Sequence, residues 1–433
     1  MTQEVALFWF RRDLRLNDNA GLYHALKSGC TVIPLFIFDT NIIDGLPQDD
    51  ARIGFIHQSL EELHHGLKKA NSCGLLVKKG EPIEIFKALI QKYGVSAIYT
   101  NHDFETYAKK RDEEVAALIE ENGGSFHHFK DHVIFDGDEV LKDNGKPYTV
   151  FTPYSRKWKG KLSEFYVRSY PITELLNGMW SQIPAFPSLE EIGFKPSSVA
   201  IPGSQVSDDL ISTYHQTRDI PSINGTSRLG VHLRFGTISI RKLVRKAIQL
   251  NDAFLNELVW RDFYAMILYH FPKVETRAFK PAYDRIAWRN SELDFQRWCD
   301  GKTGYPIVDA GMRELNQTGF MHNRVRMIVA SFLTKHLLID WRWGESYFAQ
   351  KLLDFDLASN NGGWQWASGS GCDAAPYFRV FNPELQTRKF DPALVYVKKW
   401  VPEFQSFNYP EPMVEHRAAR LRALDFYAGA LKD

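Results

Sequence analysis

The stretch VALFWFRRDLR, residues 5–15, decides how the first part of the chain folds. Six apolar residues follow one another without helical spacing, which is typical of a strand buried in a parallel sheet. Arginines and an aspartate come next, where such a strand would end. Ligands of doubly wound sheets bind at the carboxyl ends of the strands. FRRDLR (10–15) and the later NHDFE (101–105) are therefore predicted to lie at a binding edge.

The same kind of run recurs further along the chain. Three more apolar runs alternate with segments of helical period, and they read TVIPLFIF (31–38), GLLVKKG (74–80) and SAIYTN (96–101). This alternation predicts an α/β domain with a doubly wound parallel sheet over residues 1–130. No GxGxxG or GxxxxGK[ST] follows the first strand, so the sequence disfavours a dinucleotide or P-loop site there.

The rest of the chain has a different composition. Residues 131–205 are rich in Pro, Gly and Ser, and they are predicted to form an interdomain connector that wraps over the surface. After Asp208 the helical period dominates, so residues 206–433 are predicted to form an all-α domain. We find no internal repeat and no coiled-coil heptads.

Composition is that of a globular protein with two domains: 433 residues, 44% of them hydrophobic and 24% charged. The cysteines lie far apart without CxxC spacing, which indicates a reducing compartment and no metal site; they are Cys30, Cys73, Cys299 and Cys372. The first apolar run is too short, and too soon followed by arginine, for a signal peptide or membrane span. We therefore expect a cytoplasmic protein that does not associate with membranes, and a monomer.

The net charge of +1 conceals a difference between the two halves. Residues 1–205 carry 23 Lys and Arg against 27 Asp and Glu, whereas residues 206–433 carry 30 against 25. If the protein binds nucleic acid, the C-terminal half is predicted to do so. The bias is small, and a solvated charged surface explains it equally simply.

The candidate site lies in the helical part, where polar residues stand inside apolar helices. In ELVWRDFY, the residues Glu257, Trp260 and Arg261 share one helical face by their i, i+3 and i+4 spacing. If this helix is considered by itself, an amphipathic helix with a surface ion pair is the simpler interpretation of these three residues. Polar residues recur in the same way at 323–327 and 354–360, so three helices offer polar groups to one centre. The pattern predicts a pocket for a large, polar, planar ligand.

Two of these charges predict a buried ion pair. Arg326 and Asp354 lie in apolar surroundings, where an unpaired charge is costly, so we expect them to bind each other. The loop NGTSRLG (224–230) offers backbone N–H groups and hydroxyls suited to a phosphate. Its turn-like composition is equally typical of a helix cap.

Six motifs span the chain, and they are FWFRRDLR near the start, TSRLG (226–230), ELVWRDFY (257–264), HNRVRM (322–327), DFDLASNNGGWQW (354–366) and DAAPYFRVFNP (373–383). In this order and spacing they resemble the photolyase/cryptochrome flavoproteins, and more specifically the class I cyclobutane pyrimidine dimer photolyases. The resemblance implies an N-terminal antenna domain, a connector, and a helical domain that holds FAD and binds DNA. It also implies a lyase that repairs pyrimidine dimers in UV-damaged DNA by light-driven electron transfer from reduced FAD.

The resemblance assigns roles to individual residues. The FAD site would comprise Tyr214, Thr226, Ser227, Arg228, Leu229, Glu257, Arg261, Asn323, Arg326, Asp354, Asp356 and Asn360. An electron would pass inward to the flavin through Trp288, Trp341 and Trp364. DNA and the flipped-out dimer would be bound by Trp260, Arg324, Met327, Trp366, Arg379 and Lys389. Asn360 would face the flavin N5, and Glu257 would hydrogen-bond a pyrimidine carbonyl.

The resemblance does not determine the identity of a second chromophore. It would be a folate such as methenyltetrahydrofolate, a deazaflavin, a flavin, or nothing. Folate-binding members use an acidic residue after the fourth strand, and Glu105 lies near that place. Two positions depart from the family pattern, because Gly230 stands where many relatives have Ser, and Phe254 where a relative has Trp.

The sequence disfavours three rival functions. A cryptochrome-type light sensor has the same fold, but the intact substrate set of Glu257, Trp260, Met327 and Trp366 and the short stretch after the last motif disfavour it. A (6-4) photoproduct photolyase carries histidines on the helix where this chain has Asn323 and Met327. An α/β nucleotide enzyme with a helical lid is disfavoured because no phosphate loop follows the first strand.

Overall fold

The computed structural model describes residues 4–432, which divide into two compact units that interleave along the chain. The first unit comprises the residues up to Asp136, then Lys161–Gln205 and Leu229–Lys246, and the second comprises Gly137–Gly160, Val206–Arg228 and the residues from Ala247 onward. The domain boundaries at 130 and 205 stay a prediction. Within residues 4–432, no helix is both long and apolar enough to cross a membrane.

A five-stranded parallel sheet forms the centre of the first unit. Its strands are β1 (Val5–Phe10), β2 (Thr31–Asp39), β3 (Leu76–Gly80), β4 (Val95–Asn101) and β5 (Ser125–Phe129), in the spatial order β3-β2-β1-β4-β5. β1 lies in the middle with five of its six residues buried, which explains why its sequence is continuously apolar. The predicted doubly wound sheet is confirmed, and its strand order reverses beside β1.

Helices make up most of the remaining structure. In chain order they are α1 (Ala20–Lys27), α2 (Thr40–Ile43), α3 (Ala51–Asn71), α4 (Pro82–Tyr93), α5 (Thr106–Glu121), α6 (Phe151–Lys161), α7 (Glu164–Val167), α8 (Asp208–Thr217), α9 (Gly230–Arg234), α10 (Ile240–Leu250), α11 (Asp252–His270), α12 (Glu292–Cys299), α13 (Pro306–Thr318), α14 (Asn323–Ser331), α15 (Trp341–Lys351), α16 (Leu357–Ser368), α17 (Pro383–Phe390), α18 (Val395–Trp400) and α19 (His416–Ala430). A single π-helical turn, Phe332–His336, follows α14 in the described chain. The second unit is helical, as predicted.

The sequence did not predict the edge strand β5. Its sequence, SFHHF, contains two histidines and has no continuous apolar run, because the side chains of an edge strand are only partly covered. The His127 ring stacks on Tyr99 of β4, with 4.7 Å between the ring centroids. Ring stacking on the neighbouring strand thus replaces the aliphatic packing by which the other strands were recognised.

A network of buried charges lies beyond the carboxyl end of β1, inside the first unit. The side chain of Asp131 is fully buried, and its two oxygens bind Arg15 Nη2 at 2.6 Å and Arg241 Nη2 at 2.7 Å. Arg241 also binds Asp18, with 2.9 Å between Nε and Oδ1. Burial raises the pKa of Asp131, but the two guanidinium groups outweigh burial and hold that pKa below its ordinary value. Arg241 of α10 therefore neutralises carboxylates that come from the sheet region.

The core of the second unit forms where α16 packs against α11, α14 and α15. Two amides of α16 fasten it to the turn after α11, because Asn361 Nδ2 and Gln365 Nε2 both donate to the Val274 carbonyl, at 2.9 and 3.1 Å. Both side chains are almost fully buried. This fixes the rotation of α16, and with it the directions of the tryptophans in its sequence.

Candidate functional site

The polar face of α11 begins the site. The side chain of Asn251 caps the helix by accepting from the N–H groups of Ala253 and Phe254, which fixes where the helix starts. Glu257 lies in the second turn of α11, and its Oε1 binds Arg218 Nη1 at 2.6 Å. Burial raises the pKa of Glu257, and the guanidinium of Arg218 limits that rise.

Trp260 lies on the same helix and is half-buried. Its indole stacks flat on the ring of Phe151, with centroids 3.6 Å apart and ring planes within 4°. One face of the indole is therefore covered, and the ring of Tyr264 packs beside the indole with 5.4 Å between the centroids. Sequence reasoning missed Phe151, which precedes Trp260 by more than one hundred positions and belongs to no motif.

Two cations predicted to bind phosphate meet at one aromatic ring. The Arg324 guanidinium lies 4.3 Å from the centroid of Phe390, and the ammonium of Lys389 lies 5.0 Å from the same ring. Arg324 Nη2 also binds Asp219 Oδ1 at 2.7 Å. The structure thus brings together α14 and α17, as the predicted DNA contacts require, and it adds Asp219 as a partner that the sequence did not reveal.

The predicted pair of Arg326 and Asp354 is confirmed. Arg326 Nη2 lies 3.0 and 3.1 Å from the two carboxylate oxygens, and its Nε donates to the Met321 carbonyl at 2.8 Å. The side chains are 26% and 19% exposed, so the pair is largely but not completely buried. Three donated hydrogen bonds hold Arg326 in one orientation beside the carboxylate.

Removing this guanidinium tests how much the pair stabilises the fold. We expect Arg326→Ala to lower the free energy of unfolding by about 1–3 kcal/mol, less than for a fully buried pair because water screens the exposed part. Urea titration with fluorescence detection measures it. Lys87→Ala is the matched control, because the Lys87–Glu84 pair is 53% and 68% exposed and its loss should cost under about 0.5 kcal/mol. Equal, negligible losses in both variants would contradict the buried character of Arg326–Asp354.

The start of α16 carries two residues of the predicted FAD site. Asp356 caps the helix, with Oδ1 accepting from Ser359 N at 3.0 Å. Asn360 follows, and its Nδ2 donates to the Glu345 carboxylate at 2.9 Å and to the Glu345 carbonyl at 3.1 Å. Sequence reasoning missed Glu345, although it lies four residues after Trp341 and so shares that helical face. Glu345 orients the amide of Asn360.

The three tryptophans predicted to relay electrons border one hydrophobic cluster. Trp364 and Trp341 are 3% and 2% exposed, whereas Trp288 is half-buried at the edge of that cluster. Trp288 also packs on Tyr427 of α19, with 5.9 Å between the rings. Exposure therefore increases toward Trp288, as a relay that ends at the surface requires.

Gly344 of α15 makes room for Trp364. A Cβ built on Gly344 would lie 2.1 Å from Cη2 of Trp364 and 2.7 Å from Cδ2 of Leu333. We expect Gly344→Ala to displace the indole and to destabilise the protein by about 1–3 kcal/mol. Thermal unfolding and near-UV circular dichroism measure both effects. Gly429→Ala is the control, since no heavy atom lies within 4 Å of its Cβ, and an equal effect of both substitutions would show that Trp364 is not tightly held.

The predicted phosphate loop adopts an unusual backbone conformation. Arg228 has a φ of 51°, a left-handed conformation that costs energy for any residue with a side chain. Its guanidinium lies 4.6 Å from the ring centroid of Phe320. Thr226 and Ser227 are half-buried beside it, whereas Leu229 is buried and belongs to the first unit, where it precedes α9.

These residues fit the FAD that the sequence predicts. His322 is 3% exposed, and its Nδ1 accepts from Arg324 N, so its Nε2 carries the proton in the neutral ring. Among residues 4–432 no group hydrogen-bonds this buried Nε2. Burial lowers the pKa of His322 most, and the charges of Arg326, Arg324 and Arg228 lower it further, to about 4. A buried donor among three guanidinium groups suits an anionic, hydrogen-bond-accepting cofactor.

The remaining predicted site residues fall into two groups. Inside the second unit are Tyr214 on α8, whose ring packs on Phe254 5.2 Å away, the half-buried Arg261 on α11, and the half-buried Met327, whose sulfur lies 3.7 Å from Arg324 Nη1. At its surface are Asn323 and Arg379, and the carbonyl of Arg379 accepts from the buried Lys335 at 2.9 Å.

Trp366 lines a cavity between α11, α16 and the turn that follows α16. Tyr264, Asn361, Cys372 and Asp373 border the same cavity. Gly362 makes it possible, because a Cβ there would lie 2.2 Å from the Tyr264 ring. Gly362, the first of the two glycines before Trp364, thus lets the ring of Tyr264 approach α16 closely.

In the first unit, the carboxylate of Glu105 forms ion pairs with two arginines. Its Oε1 binds Arg12 Nη1 at 2.9 Å and Arg234 Nη1 at 2.5 Å. Glu105 begins α5, near the carboxyl end of β4 where the antenna ligand was predicted. Its carboxylate is engaged by two guanidinium groups, so a structural role is sufficient to explain it.

Comparison with known proteins agrees with this geometry. Residues 6–174 match the DNA photolyase family, and residues 254–408 match the FAD binding domain of DNA photolyase. A deoxyribodipyrimidine photo-lyase of Synechococcus sp. is 37% identical, with 96% of each chain covered.

Solved structures are similar over the whole chain. The bacterial class III photolyase from Agrobacterium tumefaciens superposes with a TM-score of 0.90 at 33% identity, covering 100% of this chain and 99% of that one. The archaeal photolyase from Sulfolobus tokodaii, whose structure holds two FAD molecules, gives 0.82 at 34% identity and covers 98% and 100%.

Proposed function

The chain belongs to the DNA photolyase family, and on that premise we infer that it is a deoxyribodipyrimidine photolyase. It is a FAD-dependent carbon–carbon lyase that uses light to split cyclobutane pyrimidine dimers in UV-damaged DNA. The observation that carries this function is similarity over the full length to photo-lyases, joined to the clustering of Glu257, Trp260, Arg324 and Arg326 in one unit.

Bound FAD supplies the electron that enters the dimer. The chain's own residues hold the two reactants in place. Thr226, Ser227 and Arg228 bind the cofactor's phosphates. The Arg326–Asp354 pair and the Asn360 amide, itself fixed by Glu345, present defined charge and hydrogen bonds to the ring system.

The flipped-out dimer lies between Trp260 and Trp366 in this proposal. Phe151 covers one face of Trp260, so the indole offers its other face to a base. Arg324, Lys389 and Arg379 hold phosphates of the backbone, and the basic excess of this half of the chain supports that role. Glu257 lies on the α11 face that also carries Trp260 and can hydrogen-bond a pyrimidine carbonyl.

Trp288, Trp341 and Trp364 form the relay that reduces the flavin in light. Their graded exposure and their shared hydrophobic cluster support this role. Trp298 borders Trp364 as well, at 6.1 Å, but it is fully buried and its Nε1 donates to the Val329 carbonyl. Trp298 is thus suited to packing, and Trp288 to receiving electrons from outside.

Four finer assignments belong to the same proposal. We assign the chain to the class I photolyases, and the first unit holds a folate, a deazaflavin, a flavin or no second chromophore. The Sulfolobus structure with two FAD molecules supports a second flavin. We also propose that the protein is a cytoplasmic monomer.

The test combines a spectrum with a repair assay. The purified protein should show a bound flavin, and with the flavin reduced it should restore dimer-containing oligonucleotide in blue light and not in darkness. A light sensor of the cryptochrome type would show the flavin without repair. A (6-4) photolyase would repair the other photoproduct and leave the cyclobutane dimer intact.

A further inference from the structure

The ion pair between Arg218 and Glu257 raises a question about the proposed reaction. Arg218 follows α8, and its Nη1 lies 2.6 Å from Glu257 Oε1. The two side chains are 30% and 29% exposed, so the pair lies at the mouth of the site rather than in its interior. This inference rests on the proposed function, in which Glu257 hydrogen-bonds a pyrimidine carbonyl.

The chemistry of that hydrogen bond conflicts with the ion pair. An ionised carboxylate only accepts hydrogen bonds, and a carbonyl oxygen also only accepts them. A carboxyl group can donate to a carbonyl when it carries a proton. The ion pair with Arg218 keeps Glu257 ionised, and an ionised Glu257 cannot donate a hydrogen bond to the pyrimidine carbonyl.

The surroundings of Glu257 favour the proton once the guanidinium leaves. Burial is the largest influence on its pKa and acts upward, and the negative charge of Asp219 acts in the same direction. Two tyrosines that feel the charge of Glu257 are Tyr214 of α8 and Tyr264 of α11, and both are neutral at pH 7, since burial raises their pKa values further above the ordinary value. Among these groups, Arg218 alone opposes protonation.

The adjacent residue shows that the end of α8 is built to hold charges. Asp219 binds Arg324 at 2.7 Å, just as Arg218 binds Glu257. The dipeptide Arg218–Asp219 therefore pairs with α11 through a cation and with α14 through an anion. These two helices carry the groups assigned to substrate and phosphate, and a backbone phosphate held by Arg324 in the proposed complex would lie close to the residue that follows Arg218.

We propose that Arg218 is a positioning residue that exchanges partners when dimer-containing DNA binds, moving from Glu257 to a backbone phosphate while Glu257 takes up one proton from solvent. The proton binds the carboxylate that the guanidinium has left. The neutral carboxyl then donates a hydrogen bond to the pyrimidine carbonyl. No other bond forms or breaks, and the site exchanges one ion pair for another.

The sign of the pH dependence follows from this exchange. Glu257 has a higher pKa in the complex than in the free protein, so between those two values binding takes up a proton. In that window the affinity for dimer DNA falls as pH rises, by about tenfold per pH unit if the uptake is one proton. Below the window both states are protonated and the slope vanishes.

The experiment measures proton uptake in darkness, with oxidised FAD bound, by mixing protein and dimer-containing oligonucleotide in weakly buffered solution with a pH indicator. Wild type is expected to take up about one proton per complex at pH values within the window. Glu257→Gln, which cannot be charged, and Arg218→Met, in which Glu257 is already protonated before binding, are both expected to take up almost none. Carboxyl infrared absorption of free Arg218→Met should show the protonated acid that wild type lacks.

Lys159→Met is the matched control, because Lys159 binds another acid of α11, Asp252, at 2.5 Å, and lies outside the proposed site. It should retain the wild-type uptake. Absence of uptake in wild type, or equal uptake in Arg218→Met and wild type, would overturn the proposal. If wild type repairs dimers in light without taking up a proton, only this inference fails; if it repairs nothing, the proposed function fails with it.

Discussion

Replacement of Trp260 by alanine is expected to weaken binding of dimer-containing DNA by about one to two orders of magnitude. Stacking of a base on an aromatic side chain contributes roughly 1–3 kcal/mol. In the proposed complex the dimer stacks on the Trp260 face that Phe151, 3.6 Å away, does not cover. Undamaged DNA, held mainly by arginine and lysine on phosphates, should bind almost as before. Equilibrium titration of both DNAs at two salt concentrations measures the difference.

The variant Phe151→Leu separates stacking on substrate from packing within the protein. It removes the support behind the indole but leaves the face that meets the base, so the loss of dimer affinity should be smaller than in Trp260→Ala. Both affinities should fall with salt in every variant, because the phosphate contacts are unchanged. If Trp260→Ala lowers both affinities equally, or if wild type shows no preference for the dimer, the indole is a packing residue and the light-sensor function gains support.

Replacement of Trp288 by phenylalanine is expected to abolish most photoreduction of the oxidised flavin. Phenylalanine keeps the packing on Tyr427 but is far harder to oxidise than tryptophan, so the relay loses its outer member. Repair by chemically reduced enzyme should remain nearly intact, since repair does not use the relay. Illumination in the presence of an external reductant, followed by absorption spectroscopy, measures the rate.

Trp400→Phe is the matched control for this substitution. Trp400 is also a partly buried tryptophan at the edge of the same cluster, and no relay role is proposed for it. Its variant should photoreduce at the wild-type rate. Unchanged photoreduction in Trp288→Phe would instead show that electrons reach Trp364 by another route, of which Trp298 at 6.1 Å is the first candidate.

The fold was predictable where burial leaves a local pattern. β1 is buried on both faces, so its apolar run identified a central parallel strand, and the helical period after Asp208 identified the helical unit. β5 was not predictable in this way, because its histidines are covered by rings of the neighbouring strand rather than by aliphatic side chains. The interleaving of the two units was also beyond local patterns, since it depends on contacts between distant segments.

The candidate site was predictable where its groups repeat on helical faces. The pairing of Arg326 with Asp354 was predicted from sequence alone, because a charge buried in an apolar helix is costly unless an opposite charge binds it. Arg218 gave no such signal, because its partner Glu257 lies on another helix and Arg218 stands in a polar stretch. Phe151 was missed for the same reason. Contacts of this kind, between residues far apart in the sequence that belong to no motif, are found only in the structure.

The buried network around Asp131 has a consequence for dissecting the protein into pieces. A fragment that stops at residue 205 would retain Asp131, Asp18 and Arg15, but it would lose Arg241, which neutralises both carboxylates. Such a fragment would hold two carboxylates with Arg15 as the arginine that remains of the two in this network. The first unit prepared on its own should therefore extend through α10, although that helix comes after the predicted connector of residues 131–205.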